Sequence, residues 1–147
     1  MSSVGLGRKA RRPLARDTSA SESPASSDPR LAGRAALGRR GEDLACAHLE
    51  RAGFEIVDRN VRVGRLELDV IARRGRLLVF CEVRSRRSDR LMTPAQSIGP
   101  GKVERLRRAA SEWLRATRPR YSELRFDVAS VTFDSPEGRL NYLEGAI

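Results

Sequence analysis

The sequence contains few of the side chains that most metal and catalytic sites require. Its 147 residues include one histidine, two cysteines and 5% aromatic residues. A histidine-based zinc site and a nucleophilic triad therefore have no support, because His48 is the only histidine. Cys46 and Cys81 lie in apolar segments without a C-x-x-C spacing, so we interpret both as buried free thiols. Gly-x-Gly motifs are missing from the predicted strand–helix junctions, so a nucleotide cofactor has no predicted site.

Long apolar runs are missing as well. No stretch approaches the roughly 18 uninterrupted apolar residues of a membrane-spanning helix. The N-terminal residues carry charge without the apolar region of a secretory signal. We therefore expect a cytoplasmic protein with no segment in a membrane.

Positive charge is what the chain has in excess. Lysine and arginine total 29 against 19 acidic residues, which gives a formal net charge of +10. Nearly all of the cations are arginine, since Lys9 and Lys102 are the only lysines. A GC-rich genome produces that bias without a functional cause, so only the total charge is informative. It favours an anionic partner, with nucleic acid first and a membrane surface second.

The composition changes near residue 34. Residues 1–33 are rich in Ser, Pro, Ala and Arg without periodic apolar residues, which predicts a disordered basic tail ahead of one domain over 34–147. Apolar residues at helical spacing predict helices over 37–52 and 102–117. Strands are predicted at 54–62, 65–73, 76–84, 124–133 and 138–144. The order αβββαββ is typical of an α/β fold in which helices flank a mixed sheet.

Two adjacent predicted strands carry acids among their apolar residues. Alternation places Glu67 and Asp69 on one face of the first strand, and Glu82 and Arg84 on one face of the next. A two-residue turn at Arg74-Gly75 sets Glu82 opposite Glu67, whereas a turn longer by two residues sets it opposite Asp69. Either register brings carboxylates together beside a guanidinium, which is typical of a divalent-metal site for phosphate chemistry. The alternative, a buried salt bridge with Arg84, stays open.

Glu42 and Lys102 are supporting candidates. Glu42 lies on or beside the apolar stripe of the first helix, where it either complements the helix dipole in the first turn or points over the sheet as a third acid. Lys102 lies on the stripe of the second helix, as a snorkelling lysine or as a cation that reaches a phosphate. Glu67 is either a further acid of the site or a solvent-facing residue. We interpret Asp127 and His48 as structural or surface residues.

Asp69, followed after twelve residues by Glu82-Val83-Arg84, resembles the motif of the PD-(D/E)XK nuclease superfamily. More closely, the chain resembles the YraN-type bacterial proteins of that superfamily, which are relatives of archaeal Holliday-junction resolvases. The resemblance covers residues 37–145. Its matching segments are 38–45, 59–60, 66–72, 79–86 and 125–128, together with Lys102.

The resemblance implies a restriction-endonuclease-like fold and metal-dependent hydrolysis of DNA phosphodiesters at branched or end structures. The implied ligands of Mg²⁺ or Mn²⁺ are Asp69 and Glu82, assisted by Glu42 and Glu67. The implied catalytic residues are Asp69, Glu82 and Arg84. The implied nucleic-acid contacts are Arg84, Arg86 and Lys102.

One departure from the family pattern affects the chemistry. The family's Glu-Val-Lys is Glu82-Val83-Arg84 here, and an arginine cannot give up a proton as a desolvated lysine can. Arg84 would orient water or bind phosphate as a cation, and it could not act as a base.

Three functions therefore stay open. The first is a metal-dependent endonuclease that acts on DNA, and the second is a DNA- or RNA-binding protein that keeps the nuclease scaffold without catalysis. The third is a basic ribosome- or RNA-associated protein whose acids are structural. Divalent-metal binding separates the first from the others, and preference for branched DNA over RNA separates the second from the third. A homodimer is compatible with each.

Overall fold

The computed structural model of the chain describes residues 29–87 and 98–147. Within these ranges, two helices and five strands follow the predicted order αβββαββ. The helices are α1, Pro29–Arg51, and α2, Pro100–Thr117. The strands are β1, Glu55–Val63; β2, Leu66–Arg74; β3, Leu77–Arg86; β4, Glu123–Thr132; and β5, Arg139–Leu143. Neither helix in these ranges has an apolar stretch of the length that a bilayer requires.

The strands form one mixed sheet in the order β1-β2-β3-β4-β5. β3 and β4 run parallel, while the other neighbouring pairs are antiparallel. A parallel pair needs a crossover connection, and α2 lies in it. β3 is paired on both sides and is buried from Leu78 to Glu82, as its apolar run predicts. The predicted α/β fold with a mixed sheet is confirmed.

The two helices cover opposite faces of the sheet. Strand residues that share a core with α2 include Ile71, Leu78 and Phe80. Strand residues that share a core with α1 include Val70, Val79 and Cys81. Because side chains alternate along a strand, Glu82 and Arg84 lie on the face of β3 that α2 covers.

The first helix begins at Pro29 rather than near residue 37, so it includes residues 29–33 of the predicted tail. Proline suits the start of a helix, and the alanines and arginines that follow have high helix propensity. The spacing of apolar residues does not predict the start of this helix, because residues 33–40 are exposed or half-buried and have no continuous apolar face. The rest of the predicted tail, residues 1–28, lies outside the described residues.

Candidate functional site

The β2–β3 hairpin determines which acids meet. Its loop is Gly75-Arg76, and backbone pairing continues to Val70 and Cys81. Gly75 has a φ of 59°, which glycine adopts without steric cost at the first position of a two-residue loop. One residue further, the same register sets Asp69 opposite Glu82. The structure therefore has the second of the two predicted registers. It reaches this register by a two-residue loop shifted from Arg74-Gly75 to Gly75-Arg76, so the prediction that this register needs a longer turn is wrong.

Asp69 lies where β2 separates from β3. Backbone pairing between these strands ends at Val70 and Cys81, whereas β3 stays paired with β4 as far as Arg86. Beyond the point of separation, the Val83 N–H donates a hydrogen bond to Asp69 Oδ2 at 2.9 Å. The side chain thus satisfies a backbone donor that lies past the end of the β2–β3 ladder. This bond fixes the carboxyl group at an open end of the sheet.

Glu82 is the buried acid of the central strand, with 5% of its surface exposed. Its Oε1 lies 3.3 Å from Lys102 Nζ and 3.6 Å from Arg84 Nε. Its Oε2 is buried and has no hydrogen-bond partner among the described residues. A buried carboxylate oxygen without a donor or a cation is costly. The two neighbouring cations therefore compensate only one side of this carboxylate.

Asp69 and Glu82 influence each other electrostatically. Burial, then the negative charge of Glu82, and then a hydrogen bond that protonated Asp69 can share with the Glu82 carboxylate raise the pKa of Asp69 from 3.8 to about 7. The hydrogen bond from Val83 and the charge of Lys102 act in the opposite direction. Asp69 thus retains a proton up to near-neutral pH, since adjacent carboxylates do not ionise together readily. A divalent cation would relieve this repulsion, and carboxylate oxygens are the ligands that Mg²⁺ and Mn²⁺ prefer.

Glu42 reaches from α1 to β1. Its Oε2 accepts a hydrogen bond from Asn60 Nδ2 at 3.0 Å and lies 3.8 Å from Arg59 Nη2. Burial raises the pKa of Glu42, and the charges of Asp69 and Glu67 add to the increase, so these acids lie within electrostatic range of it. The first turn of α1 contains no acidic residue, so the interpretation of Glu42 as a first-turn acid is wrong.

The four predicted metal ligands do not form one compact group. Glu67 is exposed on β2, where it pairs with Arg62 of β1. Within residues 29–87 and 98–147, no three His, Cys, Asp or Glu side chains lie close enough to hold one ion. Asp69 and Glu82 form an inner pair, with Glu42 and Glu67 as outer acids. Metal ligation by the four acids stays a prediction.

Asn60 is a residue of this site to which the sequence assigned no role. It lies within β1 but has a φ of 50°, in the left-handed region. Asparagine tolerates this conformation better than most residues. Its amide holds Glu42, while the neighbouring Arg59 donates to Asp43 Oδ1 at 2.7 Å and so ties β1 to α1. Only the matched pair Arg59-Asn60 pointed to this position, and a sequence does not reveal a backbone angle.

The predicted nucleic-acid contacts lie on the α2 face of the sheet. Arg84 and Arg86 follow Glu82 at alternate positions of β3, so they share its face. Lys102 lies in the first turn of α2, which covers that face. The side chains of Arg84 and Lys102 are 34% and 36% exposed. The structure therefore gathers two solvent-accessible cations at Glu82, and the expected proximity of Arg84 to Glu82 is present.

The last candidates are structural. Asp127 is fully buried and accepts two hydrogen bonds from Arg125 and one from Tyr142 Oη at 2.6 Å. His48 stacks on Tyr142, with 4.4 Å between ring centroids. These contacts join β4, β5 and α1, away from the face of Glu82. The structural interpretation of Asp127 is confirmed.

The cysteines add no reactive group. Cys46 and Cys81 are buried free thiols, as predicted, and both belong to the core beneath α1. Burial raises the pKa of each thiol. A buried thiol with a raised pKa is a poor nucleophile.

The chain is similar in sequence to members of a known protein family. Residues 41–131 match the profile of a family described as Uncharacterised protein family UPF0102. A UPF0102 protein of Anaeromyxobacter dehalogenans is 45% identical over 114 residues, which cover 78% of this chain and 85% of that protein. A UPF0102 protein of Rhodococcus opacus is 41% identical over 117 residues, or 79% of this chain and 99% of that protein. A UPF0102 protein of Geobacter sulfurreducens is 40% identical over 111 residues, which cover 75% of this chain and 87% of that protein.

Proposed function

The chain belongs to the uncharacterised protein family UPF0102, and we propose that in this member the acids where β2 leaves β3 serve metal-dependent chemistry on nucleic acid. The proposed activity is hydrolysis of DNA phosphodiesters at branched or end structures. The resemblance of Asp69 and Glu82-Val83-Arg84 to the PD-(D/E)XK motif supports this reaction class. The net charge of +10 supports a polyanionic substrate.

The observation that carries the proposal is the environment of Glu82. This acid lies in the middle of the sheet, and its buried Oε2 has no hydrogen-bond partner within the described residues. Beside it, Asp69 has a pKa raised to about 7. Two carboxyl groups that lack sufficient positive charge fit a small divalent cation, which would compensate both. A buried ion pair is costly when a carboxylate oxygen stays without a hydrogen bond, so a further cation at Oε2 would stabilise Glu82.

Each residue of the site has a proposed role. Asp69 and Glu82 would hold Mg²⁺ or Mn²⁺, with Glu42 and Glu67 as outer acids. When bound, such an ion would polarise a phosphoryl oxygen as a Lewis acid. The cations Arg84, Arg86 and Lys102 would bind phosphate and stabilise the negative charge that develops on it.

Arg84 favours a second candidate function, which is nucleic-acid binding without turnover. Arginine keeps its proton at any accessible pH, so it supplies positive charge but no base. Its Nε lies 3.6 Å from Glu82 Oε1, in the place where the related motif has a lysine. A protein with this substitution would keep the scaffold and the phosphate contacts.

Single-turnover cleavage tests the proposal. Labelled four-way junction, flap, single-stranded DNA and RNA would be incubated with the protein in Mg²⁺, Mn²⁺ or EDTA. We expect metal-dependent cutting of at least one DNA structure, weak or undetectable in the wild type and faster in Arg84→Lys, and its loss when Asp69→Asn is introduced. Cutting that persists in Asp69→Asn would show a contaminating nuclease and contradict the proposal. Tight binding of branched DNA without cutting would favour the non-catalytic function, and a preference for RNA would favour an RNA-associated role.

A further inference from the structure

Lys102 lies where a metal ion would have to compete with it. Its Nζ is 3.3 Å from Glu82 Oε1, so an ammonium group compensates the carboxylate that would ligate a divalent cation. The two partners differ in burial, since Glu82 is 5% exposed and Lys102 is 36% exposed. The carboxylate is therefore fixed in the sheet, while the ammonium group can reach solvent.

The two cations beside Glu82 are anchored differently. Arg84 Nε is itself buried, and the side chain extends from the central strand. Lys102 extends from the first turn of α2, ahead of the buried anchors Leu106 and Trp113. A lysine has a flexible stem and three donors, so it can change partner by rotation of its side chain alone. Lys102 can thus leave Glu82 by rotation of its side chain, without a movement of the backbone.

We propose that Lys102 is an exchangeable counter-ion of Glu82, which a divalent cation displaces and which then binds a nucleic-acid phosphate. The proposal rests on the proposed metal site. It adds a coupling between the binding of the metal ion and the binding of the nucleic-acid phosphate. The lysine opposes metal binding when nucleic acid is absent. Phosphate that takes up the lysine would favour metal binding, and metal would favour phosphate binding by the same factor.

The first consequence concerns metal affinity in the absence of nucleic acid. Lys102→Gln removes the competing ammonium group, so we expect Mn²⁺ to bind about fivefold more tightly, the factor that corresponds to a partly exposed ion pair. Arg105→Gln is the matched control, because it removes one exposed positive charge from the next turn of α2. Lys102→Arg restores the charge and should return the affinity toward that of the wild type. Isothermal titration of Mn²⁺ into each protein measures these values.

The second consequence concerns duplex DNA. In EDTA, Lys102 is paired with Glu82, so Lys102→Gln should weaken DNA binding no more than Arg105→Gln does. In Ca²⁺, a divalent cation that carboxylate oxygens also bind, Lys102→Gln should lose about fivefold more affinity for DNA than the control does. A lysine that contacts phosphate without exchanging with a metal ion would contribute equally to DNA affinity in EDTA and in Ca²⁺. Fluorescence anisotropy at fixed ionic strength measures the six affinities of wild type, Lys102→Gln and Arg105→Gln in the two solutions.

The outcomes separate this inference from the proposed function. If wild-type Mn²⁺ binding depends on Asp69 but Lys102→Gln binds Mn²⁺ no more tightly than Arg105→Gln, the exchange is wrong and the metal site stands. If the wild type shows no Mn²⁺ binding that depends on Asp69, the proposed metal site is wrong. The proposed displacement of Lys102 by metal is then wrong as well. An equal contribution of Lys102 to DNA binding in EDTA and in Ca²⁺ would also overturn the exchange.

Discussion

At the scale of single residues, the raised pKa of Asp69 reflects the cost of holding two carboxyl groups together. Its pKa is about 7 in the folded chain against 3.8 for an ordinary aspartate. The folded state therefore binds the Asp69 proton more tightly than the unfolded chain does. By linkage, the free energy of unfolding falls as pH rises between these two values.

Asp69→Asn should remove this penalty. In EDTA at pH 8 we expect the variant to have a free energy of unfolding higher by on the order of 1–4 kcal/mol, since the pKa of Asp69 is raised from 3.8 to about 7 and one pKa unit corresponds to about 1.4 kcal/mol. Well below pH 4 the two proteins should be equally stable, because the wild-type carboxyl is then protonated in both the folded and the unfolded state. Urea denaturation at both pH values measures the difference. A loss of stability at pH 8 would identify Asp69 as an ion-pair partner.

Arg84 is the residue at which the chain departs from the PD-(D/E)XK pattern. We expect the wild type to cleave DNA weakly or not at all, and Arg84→Lys to cleave faster. Arginine keeps the charge, whereas a lysine has a compact head and a proton that burial can release. Well-placed acid–base assistance is typically worth about 10²–10⁴-fold, so single-turnover rates should resolve it. Brisk wild-type cutting with no gain in Arg84→Lys would show that arginine suffices.

The sequence predicted some residues of the site and could not predict others. Asp69 and Glu82 were identifiable because acids in strongly apolar strands are unusual. The sequence leaves the register open because it does not fix the length of the loop around Arg74-Gly75, and the φ of Gly75 is a property of the folded backbone. Asn60 was missed for the same reason, since its role depends on a left-handed conformation.

At the scale of elements, the approach of α1 to β3 positions Glu42. A Cβ added at Gly41 would overlap Ser85 Oγ and contact Val83 Cγ1, whereas one at Gly38 would meet nothing within 4 Å. Gly41 is therefore the residue that allows the helix to lie close to the central strand. Glu42, the next residue, then reaches Asn60.

The two glycines give a matched test of this packing. We expect Gly41→Ala to lower the free energy of unfolding by about 1–3 kcal/mol, because an added methyl group in a filled contact forces the helix outward. Gly38→Ala should raise it by about 0.5–1 kcal/mol, since alanine is the better helix former. Urea denaturation measures both. Equal effects of the two alanines would contradict the close approach of α1.

Element prediction succeeded where burial leaves a pattern. The strands and α2 have apolar faces, and their predicted order and approximate bounds agree with the structure. The start of α1 was placed too late because its first described side chains are largely exposed, so helix propensity rather than an apolar stripe forms it. The helix–sheet contact at Gly41 depends on tertiary structure and has no sequence pattern.

At the scale of the whole molecule, the net positive charge determines how strongly affinity for nucleic acid should depend on salt. A net charge of +10 predicts binding that phosphate contacts dominate. We expect log affinity for duplex DNA to fall linearly with log salt, with a slope near −0.9 for each phosphate neutralised. Affinities of wild type measured from 50 to 200 mM salt give the slope. A flat salt dependence would contradict nucleic acid as the partner.

The most direct test of the central claim, a divalent-metal site at Asp69 and Glu82, is a calorimetric titration of Mn²⁺. Wild type, Asp69→Asn, Glu82→Gln and the exposed-acid control Glu123→Gln would be compared at pH 8 without nucleic acid. We predict saturable binding in the wild type and the control, and its loss in both site variants while they remain folded. Equal Mn²⁺ binding by all four proteins, or none by the wild type, would contradict the claim.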